Sequence, residues 1–268
     1  LTMVRGDLAW DSPPDSSGAG TPAPPAGGAA GSAPPTAVHA PQPLPADGAR
    51  QPPAIVYVDA DVLVIDKPAG LLSVPGRGLE KADCAIARLL PHWGPLYVVH
   101  RLDMATSGLL LLARHADAQR ALSRAFAARQ VHKRYEAIVA GWLLPPGSGP
   151  HQDWGDIRLP LVVDWPRRPR SVVSFAHGKP SHTRWQPVQR LHWGPHPATR
   201  LVLQPITGRS HQLRVHLQAL GHPIIGDELY APAPLRDAAA RLLLHAGTLA
   251  VPHPRHQRWC EWHSPTPF

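Results

Sequence analysis

The sequence predicts an α+β fold whose sheet is mixed but mainly antiparallel and is flanked by helices and loops. Three observations carry this expectation. Short aliphatic and β-branched runs of strand length recur from position 55 to position 204. Helical periodicity is confined to a few stretches between them. Strands and helices do not alternate in the regular βαβ order of a parallel sheet.

Taken in order, residues 55–58 and 62–65 read as two short strands about a turn at Asp59, Ala60 and Asp61. Lys67, Pro68, Ala69 and Gly70 break the second strand. Residues 81–90 place Ala82, Ile86, Leu89 and Leu90 at helical spacing. Thr106, Ser107 and Gly108 read as a turn, and residues 109–113 as a buried strand. Residues 116–129 form an amphipathic helix, with Ala118, Leu122, Ala125 and Phe126 on one face and arginines on the other. Residues 135–140 are a strand, followed by a Pro/Gly-rich connection at 145–150. Further strands are expected at 172–175 and 200–204. Thr207 to Ser210 is a turn, with Ser210 as N-cap of a helix running to about Leu220. Gly221 ends that helix. Residues 237–246 read as a last helix.

Residues 1–53 are a Pro/Ala/Gly-rich tail, poor in large apolar side chains from about position 11. Such a segment buries too little surface to offset its conformational entropy, so disorder is expected there. The folded domain is expected at 54–268. Charge divides the same way. The chain carries 27 Lys/Arg against 19 Asp/Glu, a net of +8. The tail holds two arginines and four aspartates, a net of −2, which leaves 25 against 15, or +10, for the remainder. That excess suits a polyanion. The two cysteines, Cys84 and Cys260, indicate no disulfide framework. No secretory signal pattern opens the chain, and no apolar run approaches membrane-spanning length. A cytoplasmic protein with no membrane partner is expected, and no interface-like stripe argues against a monomer.

The stretch from His100 to Leu110 is the most informative. Asp103 lies two residues from the Arg101 guanidinium and between two apolar residues, Leu102 and Met104. A carboxylate near apolar walls stays ionised when a cation sits close by. Arg214, in the first turns of the helix that follows Gly208, is the best supplier. Arg209 sits in the loop before it, a better place to meet a phosphate.

Several segments resemble RluA-type pseudouridine synthases, in the same order: Lys67 to Gly70; His100 to Asp103 with Thr106, Ser107 and Gly108; Lys133, Arg134 and Tyr135; Gly208 to His216; Leu220 to Asp227 with Tyr230; and Arg241 to Ala246. The likeness covers essentially residues 54–268. Asp164 to Pro169 further resembles the subgroup that modifies both a transfer-RNA anticodon loop and large-subunit ribosomal RNA. The resemblance implies the fold of that family, with an active cleft along the sheet, and an RNA substrate. Many relatives carry a small extra RNA-binding domain before the catalytic one. The tail here is too short and too Pro-rich for it, so recognition would fall to the catalytic domain. Asp103 would be the nucleophile, at either the ribose anomeric carbon or the uracil ring. Arg214 would pair with Asp103 and hold it ionised. Tyr135 would stack on the flipped uracil and take part in removing its carbon 5 proton. Leu213 would wall the base pocket. Arg101, His100 and Arg209 would contact the RNA, and Lys67 and Pro68 would buttress the loops.

The implied reaction is an isomerisation with no redox step, so no cofactor is expected. Nor is a metal: the 17 histidines are scattered, and His211 and His216, five apart, do not share a helix face. Two other readings compete. A non-catalytic RNA-binding protein on the same fold would be indicated by loss of Asp103 or Arg214, and both are present. A glycosidase-like hydrolase needs two carboxylates facing each other across the bond, and only Asp103 has a suitable setting.

Overall fold

In a computed structural model, whose described residues are 51–144 and 154–268, the chain opens with β1 (Ala54–Val58) and β2 (Val62–Lys67), then α1 (Ala85–Trp93), β3 (Tyr97–Val98) and β4 (Ser107–Ala113). Next come α2 (Ala116–Ala127), β5 (His132–Ala140), β6 (Gly155–Ile157), β7 (Leu161–Val163) and β8 (Ser171–Val173). The long strands β9 (Thr183–Trp193) and β10 (His196–Pro205) precede α3 (Gln212–Ala219) and the single-turn α4 (Ala233–Arg236). The last elements are β11 (Leu244–Pro252) and β12 (Trp259–His263). Most of the expected tail, and the connection at 145–150, lie outside the described residues. No described helix is long and apolar enough to cross a membrane.

Ten strands form one sheet in the order β1-β2-β4-β11-β5-β10-β9-β6, with β12 on β11 and β3 on β4; β7 and β8 pair separately. Among the named strands described, only β4 and β11 run parallel, through Ser107 with His245 and Gly108 with Ala246. The sheet is therefore mixed and mainly antiparallel, as expected.

Every residue of β4 is buried, which is why its sequence is an unbroken apolar run and not an alternation. Leu110 and Leu112 join Leu63 and Ile65 against Ile86 and Leu89 of α1. Leu109 and Leu111 join Val62 and Val64 against Ala118, Leu122 and Ala125 of α2. The two-residue period of the strand thus serves a core on each face. A third core packs Leu213 and Leu217 of α3 against β5 and β10.

Four local expectations are corrected. Ser107 and Gly108 begin β4; the turn lies just before, where Thr106 N–H donates to the Asp103 carbonyl (3.1 Å). A side chain at Gly108, with φ of 110°, would place its Cβ 2.4 Å from the Ala246 carbonyl, so the parallel β4–β11 contact requires glycine there. The N-cap of α3 is His211, left-handed at φ 55°, and not Ser210. The Gln212 amide closes that turn instead, accepting from Arg209 N–H (3.0 Å) and Thr207 Oγ1 (2.7 Å). Residues 237–246 are not a helix, because Leu244 to Ala246 are drawn into β11 between β4 and β5. Met104 is exposed, so of the two apolar chain neighbours of Asp103 only Leu102 is buried.

Candidate active site

The loop from His100 to Thr106 hangs from buried bonds. Lys67, fully buried, donates from Nζ to the carbonyls of Leu71 (2.7 Å), Pro68 (2.9 Å) and Met104 (3.2 Å). Burial pulls its pKa down to about 7, with Asp103 opposing that pull. Ser73 Oγ donates to the Leu102 carbonyl (2.8 Å) and accepts from Leu102 N–H (3.1 Å). Gly70 N–H holds the Met104 carbonyl at 2.8 Å. Both backbone neighbours of Asp103 are therefore fixed, while its side chain keeps 27% exposure.

Arg214 reaches this carboxylate from α3, with Nη1 at 3.6 Å from Asp103 Oδ2. Its stronger partner is Asp227: Nε and Nη2 each donate at 2.7 Å to the two carboxylate oxygens. Asp227 is fully buried and also accepts from the N–H groups of Leu229 (2.9 Å) and Tyr230 (3.1 Å). Burial works against the Arg214 charge, and the Asp227 bonds more than offset it, so its pKa is raised. Gly226 before it has φ of 77°, and a Cβ there would lie 1.9 Å from the Arg241 carbonyl.

His211 completes the array. Its Nε2 lies 3.9 Å from Asp103 Oδ2, and its Nδ1 is 2.7 Å from the Tyr230 hydroxyl. Burial pulls this imidazole below its ordinary range. Ser171 N–H donates to Tyr230 Oη (2.7 Å), so the phenol is free to donate its own proton to Nδ1. A neutral His211 then carries its N–H on Nε2, toward Asp103.

These groups edge an open cleft whose empty space, mouth included, is about 590 Å³. Every residue expected at the site lines it: Asp103, Tyr135, Arg214, Arg101, Leu213, His100 and Arg209. Tyr135, on β5, is held protonated: burial pushes the phenol well above its usual range, and Asp103 adds to the shift. Leu213 is buried between cavity and core. Arg101 and Arg209 are exposed at the mouth. His100 faces inward: its Nε2 accepts from Leu111 N–H (3.0 Å), its ring stacks on Phe126, and burial pulls its pKa to about 3. That places it as a brace for β4.

Asp227, His211, Tyr230 and Lys133 lie in the segments that carry the family likeness, although the sequence alone gives them no part in the site. Lys133 lines the cavity and is lowered to about 8 by burial. The signal for Asp227 is an acid placed straight after Gly226 and the apolar pair Ile224 and Ile225. Asp227 is not a second acid for a hydrolase, since both its oxygens are engaged by Arg214. Elsewhere, Asp59, Asp61 and His253 bring possible metal-ligand atoms within 4.8 Å of one another. Those atoms already serve as a cross-link. Asp59 accepts from Asp61 and Val62 N–H and meets His253 at 3.0 Å, while Arg255 grips Asp61 with two bonds.

Comparison with known proteins agrees with this geometry. The model of the RNA pseudouridylate synthase family matches residues 61–219. The dual-specificity RNA pseudouridine synthase RluA of Pasteurella multocida is 45% identical over 214 residues, covering 80% of this chain and 93% of that protein. Its counterpart in Escherichia coli K12 is 44% identical with the same coverage. Among solved structures, human RNA pseudouridylate synthase domain containing 1 superposes with a TM-score of 0.67 at 28% identity, over 81% of this chain and 85% of that one. With a matching family model across more than half its length, near-full-length relatives and the corresponding fold, the chain belongs to the RNA pseudouridylate synthase family.

Proposed function

We propose that this protein isomerises uridine to pseudouridine in transfer RNA and in 23S ribosomal RNA, with Asp103 as nucleophile and residues 54–268 as the catalytic unit. The relatives named as dual-specificity RNA pseudouridine synthases support both substrate classes. The observation that carries the reading is the Asp103–Arg214–Asp227 array at the edge of a cavity walled by Tyr135 and Leu213.

The reaction breaks the bond from ribose C1′ to N1, turns the base and joins C1′ to carbon 5. Carbon 5 loses a proton and N1 gains one, so atoms and electrons balance. Asp103 can begin it at C1′ or at the uracil ring, and both routes use the same carboxylate. Arg214 cannot swing with the substrate, because Asp227 holds two of its nitrogens. It therefore offers Asp103 a fixed counter-charge before RNA arrives, which is electrostatic preorganisation. Lys67 braces the loop from behind through its bonds to the Pro68, Leu71 and Met104 carbonyls.

The target base must leave its stack, at a cost of a few kcal/mol. Stacking on Tyr135 returns about 1–3 kcal/mol of it. Burial keeps the Tyr135 phenol protonated in the free site, and stacking on the base is the part this supports. Arg101 and Arg209 at the mouth are placed for the RNA backbone, a contact that weakens with salt. Every group in this scheme comes from one copy of the chain, in keeping with action as a monomer.

The test is single-turnover conversion of a tRNA anticodon stem-loop and of a 23S rRNA fragment, with pseudouridine mapped by chemical derivatisation. Conversion of one class alone narrows the substrate, and conversion of neither removes the proposal.

A further inference from the structure

The hairpin of β7 and β8 stands outside the cavity, and its tip carries an aromatic group and three arginines that the isomerisation does not use. Trp165 is 65% exposed. The Arg168 guanidinium lies 4.2 Å from the centroid of its ring, and Arg168 Nε also donates to the Trp165 carbonyl (3.3 Å). One face of the indole is thus backed by a cation while the residue stays open to solvent. Within the tip, Arg167, Arg168 and Arg170 stand against a single acid, Asp164, which Arg167 engages at 2.7 Å. Three backbone bonds make the tip rigid: Asp164 N–H to the Arg170 carbonyl (2.9 Å), Arg167 N–H to Asp164 (3.1 Å) and Arg170 N–H to Arg167 (3.1 Å).

The hairpin base is joined to the cavity. Leu161 and Val173 pack with Val215 of α3 and with Tyr230. Ser171 N–H donates to the Tyr230 hydroxyl that meets His211, and Arg170 lies over the Tyr230 ring, 5.4 Å from its centroid. The same ring faces the Arg214 guanidinium at 5.0 Å. Tip and nucleophile are therefore held through one tyrosine.

We propose that the Trp165–Arg168 tip is a second RNA-contact surface, on which an unpaired base of the substrate loop stacks while the target uridine enters the Asp103 cavity. The charge favours a polyanion over a protein partner. An indole backed by a guanidinium presents a π-face that any base can use, as single-strand-binding proteins do. Because the tip is already closed by its own bonds, little ordering entropy is lost on contact. The inference rests on the RNA-modifying reading above and adds a place where the loop is gripped away from the reacting base.

The experiment uses the full chain and a tRNA anticodon stem-loop, with a series in which each loop position other than the target is made abasic. Trp165→Ala is expected to raise Kd and KM by about 5- to 150-fold, the range of one lost base–aromatic stack, with kcat at saturation unchanged. Trp165→Phe is expected to keep most of the affinity. One abasic position should weaken the parent protein but not Trp165→Ala, which identifies the stacked base. Arg168→Ala, which takes the cation from behind the indole, should weaken binding at the same loop position that couples to Trp165. The parent assayed on the same RNA separates the two readings. If the parent converts uridine and Trp165→Ala binds equally well, or if no abasic position couples to Trp165, the stacking surface is overturned while the enzyme reading stands. If Trp165→Ala loses only a co-purifying protein and no RNA affinity, the surface belongs to a protein partner and the proposal is likewise overturned.

Discussion

Arg214 meets Asp227 through two 2.7 Å bonds and Asp103 through one nitrogen at 3.6 Å. Arg214 is 4% exposed and Asp227 is fully buried. The pair is thus a structural ion pair whose spare nitrogen faces the cavity. Removing one partner of a buried pair leaves the other uncompensated, at a cost of about 3–5 kcal/mol.

Asp227→Ala and Arg214→Met should therefore each lower stability by about 3–5 kcal/mol. The double variant should be less destabilised than the sum of the two, since neither charge is left alone. Urea unfolding of the four proteins measures this directly, and strict additivity would contradict the pairing. In the folded fraction, Arg214→Met should lower kcat more than it raises KM. A defect in binding alone would count against its part in setting the charge around Asp103.

Asp103→Asn keeps the shape of the loop and removes the nucleophilic charge. Isomerisation should be lost while RNA affinity in a filter-binding assay stays close to that of the parent. Substantial pseudouridine formation by this variant would end the nucleophile assignment.

His100 predicts acid sensitivity. Its pKa in the fold is pulled to about 3 by burial, then by Lys133, from an unfolded value of about 6.5. The imidazole is neutral in the fold, and the unfolded chain binds the extra proton. Its contribution to stability is complete above about pH 6.5 and is lost as pH falls from there toward 3. Burial lowers His216 and His245 as well, with the same sign. Unfolding free energies should thus fall between pH 7.5 and pH 5. His100→Gln, which keeps an acceptor for Leu111 N–H, should make that fall shallower. Greater stability at pH 5 would contradict the assignment.

Deleting residues 1–50 should leave kcat/KM on a short stem-loop unchanged, because every group assigned to the site lies beyond them. A large loss would show that the N-terminal segment takes part in RNA binding.

Residues 109–113 could be read as a buried strand and residues 116–129 as an amphipathic helix, because each pattern answers a local period and a burial demand. The loop acid and the basic balance were legible for the same reason: residue types and short spacings carry them. The stretch 237–246 misled, since its apolar spacing suits a helix in isolation. Leu244 instead extends into β11 because β4 and β5 offer it a ladder on both sides. Strand β9 is not legible in the sequence because its outer half is polar and exposed and it contains Pro187, which sits opposite Leu201 next to a break in register with β10.

By itself the sequence determined the class of fold, the family likeness and which residues could do chemistry. Tertiary structure alone decided how those charges are shared. It gave Arg214 to Asp227 before Asp103, turned His211 toward the nucleophile through a left-handed N-cap, and joined the Trp165 tip to the site through Tyr230. Coulomb energy and hydrogen bonding depend on separations of a few ångströms. For groups far apart along the chain, those separations exist only once the sheet has brought them together.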